Sequence, residues 1–340
     1  MLYVFIFIIL LVTELIYFRI ADICNIIDKP NQRSSHTHIT LRGGGIIFYI
    51  GMLLCAAFYN FQYYSFLLGL TLIAGISFVD DVRSVPNRYR LLCHFVAMLL
   101  MFYQWGLFTE FPWWYIAIAL VFCTGVINAY NFMDGINGIT GGYSLIVLGA
   151  LAYINVKVSV FMEPELLYVG LLSVLVFNIF NFRKQAKCFA GDVGSVSIAF
   201  IILFALGKLI LVTGDLSYII LLVVYGVDSV LTIIHRLVLR ENIFEAHRKH
   251  AYQLMANELK ISHVLVSGFY MLLQAVIVLV YLWIPDSHWI CFIGSVLLLV
   301  MGYIVFMNKY FSLHYDKSKE RRDVLESDIP SYNHPSINHL

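Results

Sequence analysis

The chain is expected to be an all-α, polytopic integral membrane protein with about eleven transmembrane helices, and three observations lead there. Of its 340 residues 61% are hydrophobic and 13% charged, where a soluble domain has roughly half and a quarter. The apolar residues fall in runs of about 18–20 along the whole length, enough to cross a hydrocarbon core. Lys and Arg concentrate in alternate connections between those runs, the asymmetry that orients membrane helices. The net charge of +1 says nothing about partners, because the distribution carries the information and the sum does not.

The spans read as 1–18, 43–59, 65–79, 91–105, 113–130, 143–158, 166–182, 196–213, 217–234, 263–284 and 290–308. The first has no basic residue ahead of it, and Arg19 follows its apolar run, which reads as a retained helix and not a cleaved signal. With the N-terminus outside, the inner connections hold nearly every cation: Arg33 and Arg42; Arg83, Arg88 and Arg90; Arg183, Lys184 and Lys187; Arg236, Arg240, Arg248, Lys249 and Lys260. The C-terminus is then cytoplasmic. Pro112, Trp113 and Trp114 mark an outer aromatic belt. Residues 1–308 form one transmembrane domain, and 309–340 read as a polar cytoplasmic tail with little core of its own. The six cysteines are scattered, with no C-x-x-C, so neither a disulfide framework nor a zinc site is indicated.

Four clusters on the inner side could carry chemistry. Asp80 and Asp81 end the third span, where a helix C-terminus disfavours negative charge, so a cation or a basic partner such as Arg90 is expected there. Asn128, Asn131 and Asp134 recur every three residues and would share a helix face, offering the hard oxygen ligands that suit Mg²⁺; Asn137 follows among glycines at 135, 138, 141 and 142. Gly191-Asp192-Val193-Gly194-Ser195 opens the eighth span, a helix start that could receive phosphate oxygens. His247, Arg248, Lys249 and His250 mix imidazole and cationic donors, and His247 and His250 would face one ligand if that stretch is helical. Asp228, inside the ninth span, is expected to pair with a neighbour such as Arg236 or to line the site. Glu14 has no supporting motif. A P-loop, H-E-x-x-H and G-x-S-x-G are all missing from the sequence.

These clusters, with the D-x-P…R-S-x-H…R-G-G-G stretch from Asp28 to Gly45, resemble the polyprenyl-phosphate N-acetylhexosamine-1-phosphate transferases, glycosyltransferase family 4, from about Asp28 to Gln253. The resemblance implies a bacterial inner-membrane enzyme with its active site on the cytoplasmic face. Such an enzyme transfers a sugar 1-phosphate from a UDP-N-acetylhexosamine to undecaprenyl phosphate and releases UMP. It also implies Mg²⁺, with Mn²⁺ as a substitute, held by Asp192 and Asn131. Asp80 and Asp81 would organise the lipid phosphate and Arg90 would contact a phosphate. Asn128, Asp134 and Asn137 would lie along the nucleotide, and His247, Arg248 and His250 would meet the sugar and pyrophosphate. Two departures stand out: Ser84 occupies the place of a common third carboxylate, and His-Arg-Lys-His replaces three histidines. The second points to the surface-polysaccharide, O-antigen-initiating branch of lipopolysaccharide synthesis. UDP-N-acetylglucosamine is the first expectation for the donor, with UDP-N-acetylfucosamine and UDP-N-acetylquinovosamine as alternatives. An acceptor phosphate with a second pKa of about 6 needs little general-base help. A single in-line displacement is therefore expected, with an aspartyl-phosphate route as its rival. Membrane lipid is the surrounding partner, nucleic acid is not expected, and a homodimer stays open. The rival class is an ion-coupled transporter, which would place its acids near the bilayer midplane.

Overall fold

Helices occupy every apolar run in the chain. A computed structural model describes residues 1–30, 35, 38–242, 247–284 and 288–327, with side chains as far as Leu313. Arg33 and His36 of the first inner loop, and residues 328–340 of the tail, lie outside the described residues. The order is α1 (Leu2–Ile23), a two-residue pair β1 (Ile27–Asp28) and β2 (Thr40–Leu41), α2 (Ile46–Phe58), α3 (Tyr64–Val82) and α4 (Asn87–Gln104). A short α5 (Leu107–Glu110) precedes α6 (Trp113–Met133), α7 (Ile139–Lys157), α8 (Pro164–Asn181) and α9 (Gly191–Thr213). A 3₁₀ turn (Leu216–Leu222) runs into α10 (Val223–Val238); then come α11 (Ala251–Gln253), a π turn (Leu254–Glu258), α12 (His263–Trp283) and α13 (His288–Ser327).

The protein is an all-α polytopic membrane protein, with a difference in detail from the sequence expectation. Among the described residues nine helical segments are long and apolar enough to cross a bilayer. Of the eleven expected spans, α2 has only 13 residues, and α4 opens on Asn87-Arg88-Tyr89-Arg90, which lowers its hydropathy. The last helix also runs without a break past residue 308 to Ser327, so no loop separates the expected membrane domain from the tail.

Helix α9 is the axis of the bundle. Its residues from Val193 to Leu206 are all buried, as expected of a helix that is apolar all round. It packs against α2, α3, α6 and α7, while α8, α10 and α12 complete the next layer. Phe66 of α3 stacks on Phe204 of α9 with ring centroids 4.0 Å apart. Tyr143 of α7 and Tyr225 of α10 stack at 3.6 Å, and their hydroxyls reach Gln274 (2.7 Å) and the Ile139 carbonyl (2.9 Å). These buried polar atoms are thereby satisfied.

At one end of the bundle the backbone of 41–45 lies along that of 188–190. The Phe189 N–H donates to the Leu41 carbonyl (2.8 Å), the Gly44 N–H to Phe189 (2.9 Å) and the Gly45 N–H to Ala190 (3.1 Å). This strap brings the start of α2 against the first turn of α9 at two glycines. A methyl group on Gly194 would sit 2.6 Å from the Gly45 Cα, backbone that cannot move aside. Gly194→Ala should therefore lower stability by about 2–3 kcal/mol, the usual cost of overpacking. Gly75→Ala, where nothing lies within 4 Å, should be neutral or slightly stabilising. Thermal unfolding of both variants in detergent checks the contrast.

Candidate active site

Five segments meet at the strap end of the bundle, around a polar chamber of ≈ 320 Å³ lined by Asp28, Arg42, Asn131, Asp134, Asn137 and Asp192, among others. Its framework is an ion-pair network. The Arg42 Nε lies 2.7 Å from Asp81, with its Nη2 3.6 Å from Asp192. Arg90 bridges Asp80 (2.7 Å) and Asp192 (3.0 Å). Although burial opposes its charge, Asp81, Asp192 and Asp28 hold the Arg42 guanidinium above its usual range.

Asp81 is enclosed at the start of α9. Its side chain has 0% exposure, and its two oxygens accept the backbone N–H groups of Asp192 and Val193, each at 2.9 Å. The first N–H groups of α9, expected from sequence to meet phosphate, are thus already taken by a carboxylate, the ordinary partner of a helix N-terminus. Gly191, at φ 71°, makes this possible, since a side chain there would meet the Asp81 Oδ2 at 2.5 Å. Asp80 accepts the Val85 N–H (2.7 Å) and pairs with Arg90, which fixes the turn after α3.

Of the amide–carboxylate stripe, Asn131 and Asp134 reach the chamber and Asn128 does not. Residues three apart on an α-helix rotate by about −60° per step, so six residues carry the stripe roughly 120° around α6. Asn128 instead lines an apolar cleft on the other flank of that helix. The Asn131 Oδ1 accepts from the Ser195 hydroxyl (3.0 Å) and the Asp134 Oδ1 from Thr140 (2.7 Å). Asn137 donates to the Arg183 and Lys184 carbonyls (3.0 and 3.1 Å), leaving its buried Oδ1 without a partner beside the chamber.

The His-Arg-Lys-His segment is not a helix, so His247 and His250 do not share a helix face; their rings stack with centroids 5.0 Å apart. His250 is buried and its Nδ1 lies 3.3 Å from Asp228, which corrects the expected Asp228–Arg236 pair. Arg236 instead bonds Glu241 (3.3 Å). Arg248 is half-buried. His247 lines the apolar cleft, where burial and then the neighbouring His250, Arg236 and Lys249 push its imidazole down to about 3, so it is neutral. That cleft, ≈ 640 Å³ between α6, α10 and α13, includes Val121 and Val230, which are 76% and 55% exposed on the lipid-facing surface.

Several chamber residues escaped the sequence reading. Arg42 stood out only as part of a basic loop and of the R-G-G-G stretch, with no role attached. Asn181 ends an apolar run, and its amide bonds the Gly138 N–H (2.7 Å) and the Cys188 carbonyl (2.8 Å). Phe189, Gln253 and His263 carry no pattern that marks them. A second space of ≈ 440 Å³, with His38, Lys184, Gln185 and Ser262, adjoins the chamber through Asn137, Phe189 and His263.

The donor set suits a hard divalent cation. Among the described residues, Asp80, Asp81 and Asp192 pair with two cations, Arg42 and Arg90, an excess of negative charge before Asp134 ionises. Burial pushes the Asp134 carboxyl up to about 7, with Thr140 opposing and Asp192 and Asp81 adding to the rise. Among the described residues no three His, Cys, Asp or Glu side chains converge on one point. Asp192 and Asn131 are the oxygen donors that could hold a hard cation there, one that keeps waters or phosphate oxygens in its shell.

The sign of the Asp134 effect on stability is fixed. Unfolded, the carboxyl ionises near 3.8; folded, it keeps its proton to about 7. The folded state is thus favoured below the lower value and loses that advantage as pH rises through the upper one. In cation-free buffer, the unfolding temperature of Asp134→Asn should climb relative to the unsubstituted protein between about pH 4 and 7. A constant difference across that range would contradict the shifted carboxyl.

Comparison with known proteins converges on one family. Residues 63–210 match the family model "Glycosyl transferase family 4". A probable undecaprenyl-phosphate N-acetylglucosaminyl 1-phosphate transferase of Bacillus subtilis is 26% identical over 269 residues, 73% of this chain and 74% of that protein. An undecaprenyl-phosphate alpha-N-acetylglucosaminyl 1-phosphate transferase of Yersinia pestis is 26% identical over 54% of this chain and 55% of its own length. A phospho-N-acetylmuramoyl-pentapeptide-transferase of Thermotoga maritima is 31% identical over 49% of this chain and 59% of its own. The chain thus spans three quarters of the first relative and little more than half of the other two. Residues 63–210 are thus similar to glycosyl transferase family 4, and the clusters that carry the similarity gather at one end of a helical membrane bundle.

Proposed function

We propose that the protein transfers an N-acetylhexosamine 1-phosphate from a UDP-sugar to undecaprenyl phosphate, releasing UMP, at the cytoplasmic face of a bacterial plasma membrane. The observation that carries this reading is the pairing of two unlike spaces across α6. Asn131 and Asp134 face a carboxylate-rich chamber, while Asn128 and Phe132 face an apolar cleft reaching the lipid-exposed surface. A water-soluble nucleotide-sugar suits the first and a polyprenyl chain the second. The names of the relatives support the same pairing of substrates. UDP-N-acetylglucosamine is the donor this reading favours, and surface polysaccharide is the pathway it would feed.

The acceptor is a phosphate monoester that is largely dianionic at neutral pH. The obstacle is repulsion between that dianion and a pyrophosphate. Arg90 and Arg42 fix Asp192 at the chamber wall, so its carboxylate has one orientation toward the substrate. When bound to Asp192 and Asn131, Mg²⁺ would supply charge neutralisation at the transferring phosphate. Neutral His247 and Arg236, both on the cleft lining, can hydrogen-bond the acceptor head group where the apolar surface ends. An acceptor that is already dianionic needs little general-base help, which favours direct in-line displacement.

The test is UMP release by purified protein in detergent, with a panel of UDP-sugars and undecaprenyl phosphate. Turnover should require both substrates, stop with chelator and return with Mg²⁺. Asp192→Asn should reduce kcat by at least about 10³-fold, the scale for losing electrostatic stabilisation of the transition state. Absence of UMP release with every donor would refute the transferase reading. Full turnover of Asp192→Asn would remove the metal assignment alone.

A further inference from the structure

Asp228 sits in the middle of α10, 4% exposed, and its two oxygens draw together four parts of the molecule. Its Oδ2 accepts the Tyr270 hydroxyl of α12 at 2.6 Å. Its Oδ1 accepts the Ala251 N–H (3.1 Å) and the Thr232 hydroxyl (3.2 Å), and lies 3.3 Å from the His250 Nδ1. Thr232 continues the network to the Tyr303 hydroxyl of α13 at 3.0 Å. An ionised carboxylate only accepts hydrogen bonds, and the Ala251 N–H and the Tyr270 hydroxyl donate to it. A buried charge is expensive, and a packed aliphatic side chain would hold three helices together as well. What an aliphatic residue could not do is grip a turn of backbone.

The gripped turn matters because its far end reaches the chamber. The His250 N–H donates to the Gln253 Oε1 (3.3 Å), and Gln253 lines the polar chamber. Between them, the Tyr252 hydroxyl donates to the Phe132 carbonyl at 2.8 Å, two residues before Asp134, and its ring lies against Gly135. The turn is therefore pinned at its start by Asp228 and delivers Gln253 to the wall of the chamber at its end, with buried Tyr252 against Gly135 behind that wall.

We propose that Asp228 is a positioning residue for the chamber, acting through His250 and the Ala251 N–H to hold the His250–Gln253 turn against Phe132–Gly135. This rests on the chamber being the nucleotide-sugar site. Asp228 touches no substrate; its effect reaches the chamber only through the turn.

Two variants test it. Asp228→Asn keeps the shape and removes the charge. Ala251→Pro removes only the N–H donor, at a first helical position where proline is tolerated and after a residue already extended (His250, φ −64°, ψ 147°). Amide hydrogen exchange should accelerate at least about tenfold across 250–258 in either variant that folds, with 188–195 unchanged. Unchanged exchange at 250–258, or equal acceleration throughout α9–α12, overturns the proposal. In the UMP-release assay, Asp228→Asn should lower kcat roughly 10- to 100-fold. Combined with His250→Ala it should lose no more than the worse single variant, because both act on one turn. Multiplicative losses would show that Asp228 acts elsewhere. If the unsubstituted protein releases no UMP, the transferase reading fails while the exchange experiment still decides whether Asp228 holds the turn.

Discussion

Asp81 closes the N-terminus of α9 with both of its oxygens, and the site end of the molecule is built outward from that contact. The first N–H groups of a helix need acceptors, and a carboxylate with no access to water needs donors. Each solves the other's problem. The arrangement fixes where Asp192 leaves the helix, and Ser195, one turn on, then reaches Asn131 of α6. Arg42 balances the charge on Asp81 from a loop that the strap to 188–190 holds in register.

A consequence is that the four carboxylates at this end differ in setting. Asp81 is wholly enclosed, and Asp80 ties the turn after α3 to Arg90. Asp192 and Asp134 are the ones whose side chains line the chamber. Crowding acids behind a water-poor wall raises the electrostatic cost of leaving them uncompensated. The same crowding makes the chamber receptive to a cation and, through it, to phosphate.

The bundle was legible in the sequence because bilayer thickness and charge asymmetry act on long stretches, so their signal accumulates over many residues. The gathering of Asp80–Asp81, Asn131–Asp134 and Gly191–Ser195 at one end follows from the alternation of connections alone. What the sequence hid depends on angle and depth. Asn128 parted from Asn131 because a three-residue spacing drifts around a helix, and Asp228 chose His250 and Tyr270 over Arg236 because loop return is not written in local spacing. Phe189, Gln253 and His263 enter the chamber from segments whose composition resembles any polar connection.

The unbroken course of α13 has a mechanical result. Forty helical residues make a rod of about 60 Å, roughly twice the thickness of a hydrocarbon core. Of the most apolar stretch within its His288–Leu313 part, only 6% of the residues are buried against the rest of the protein. With no hinge between the two portions, a tilt of the immersed half swings the far tip through a proportionate arc. A shift in bilayer thickness would thus be transmitted as leverage to whatever grasps that tip.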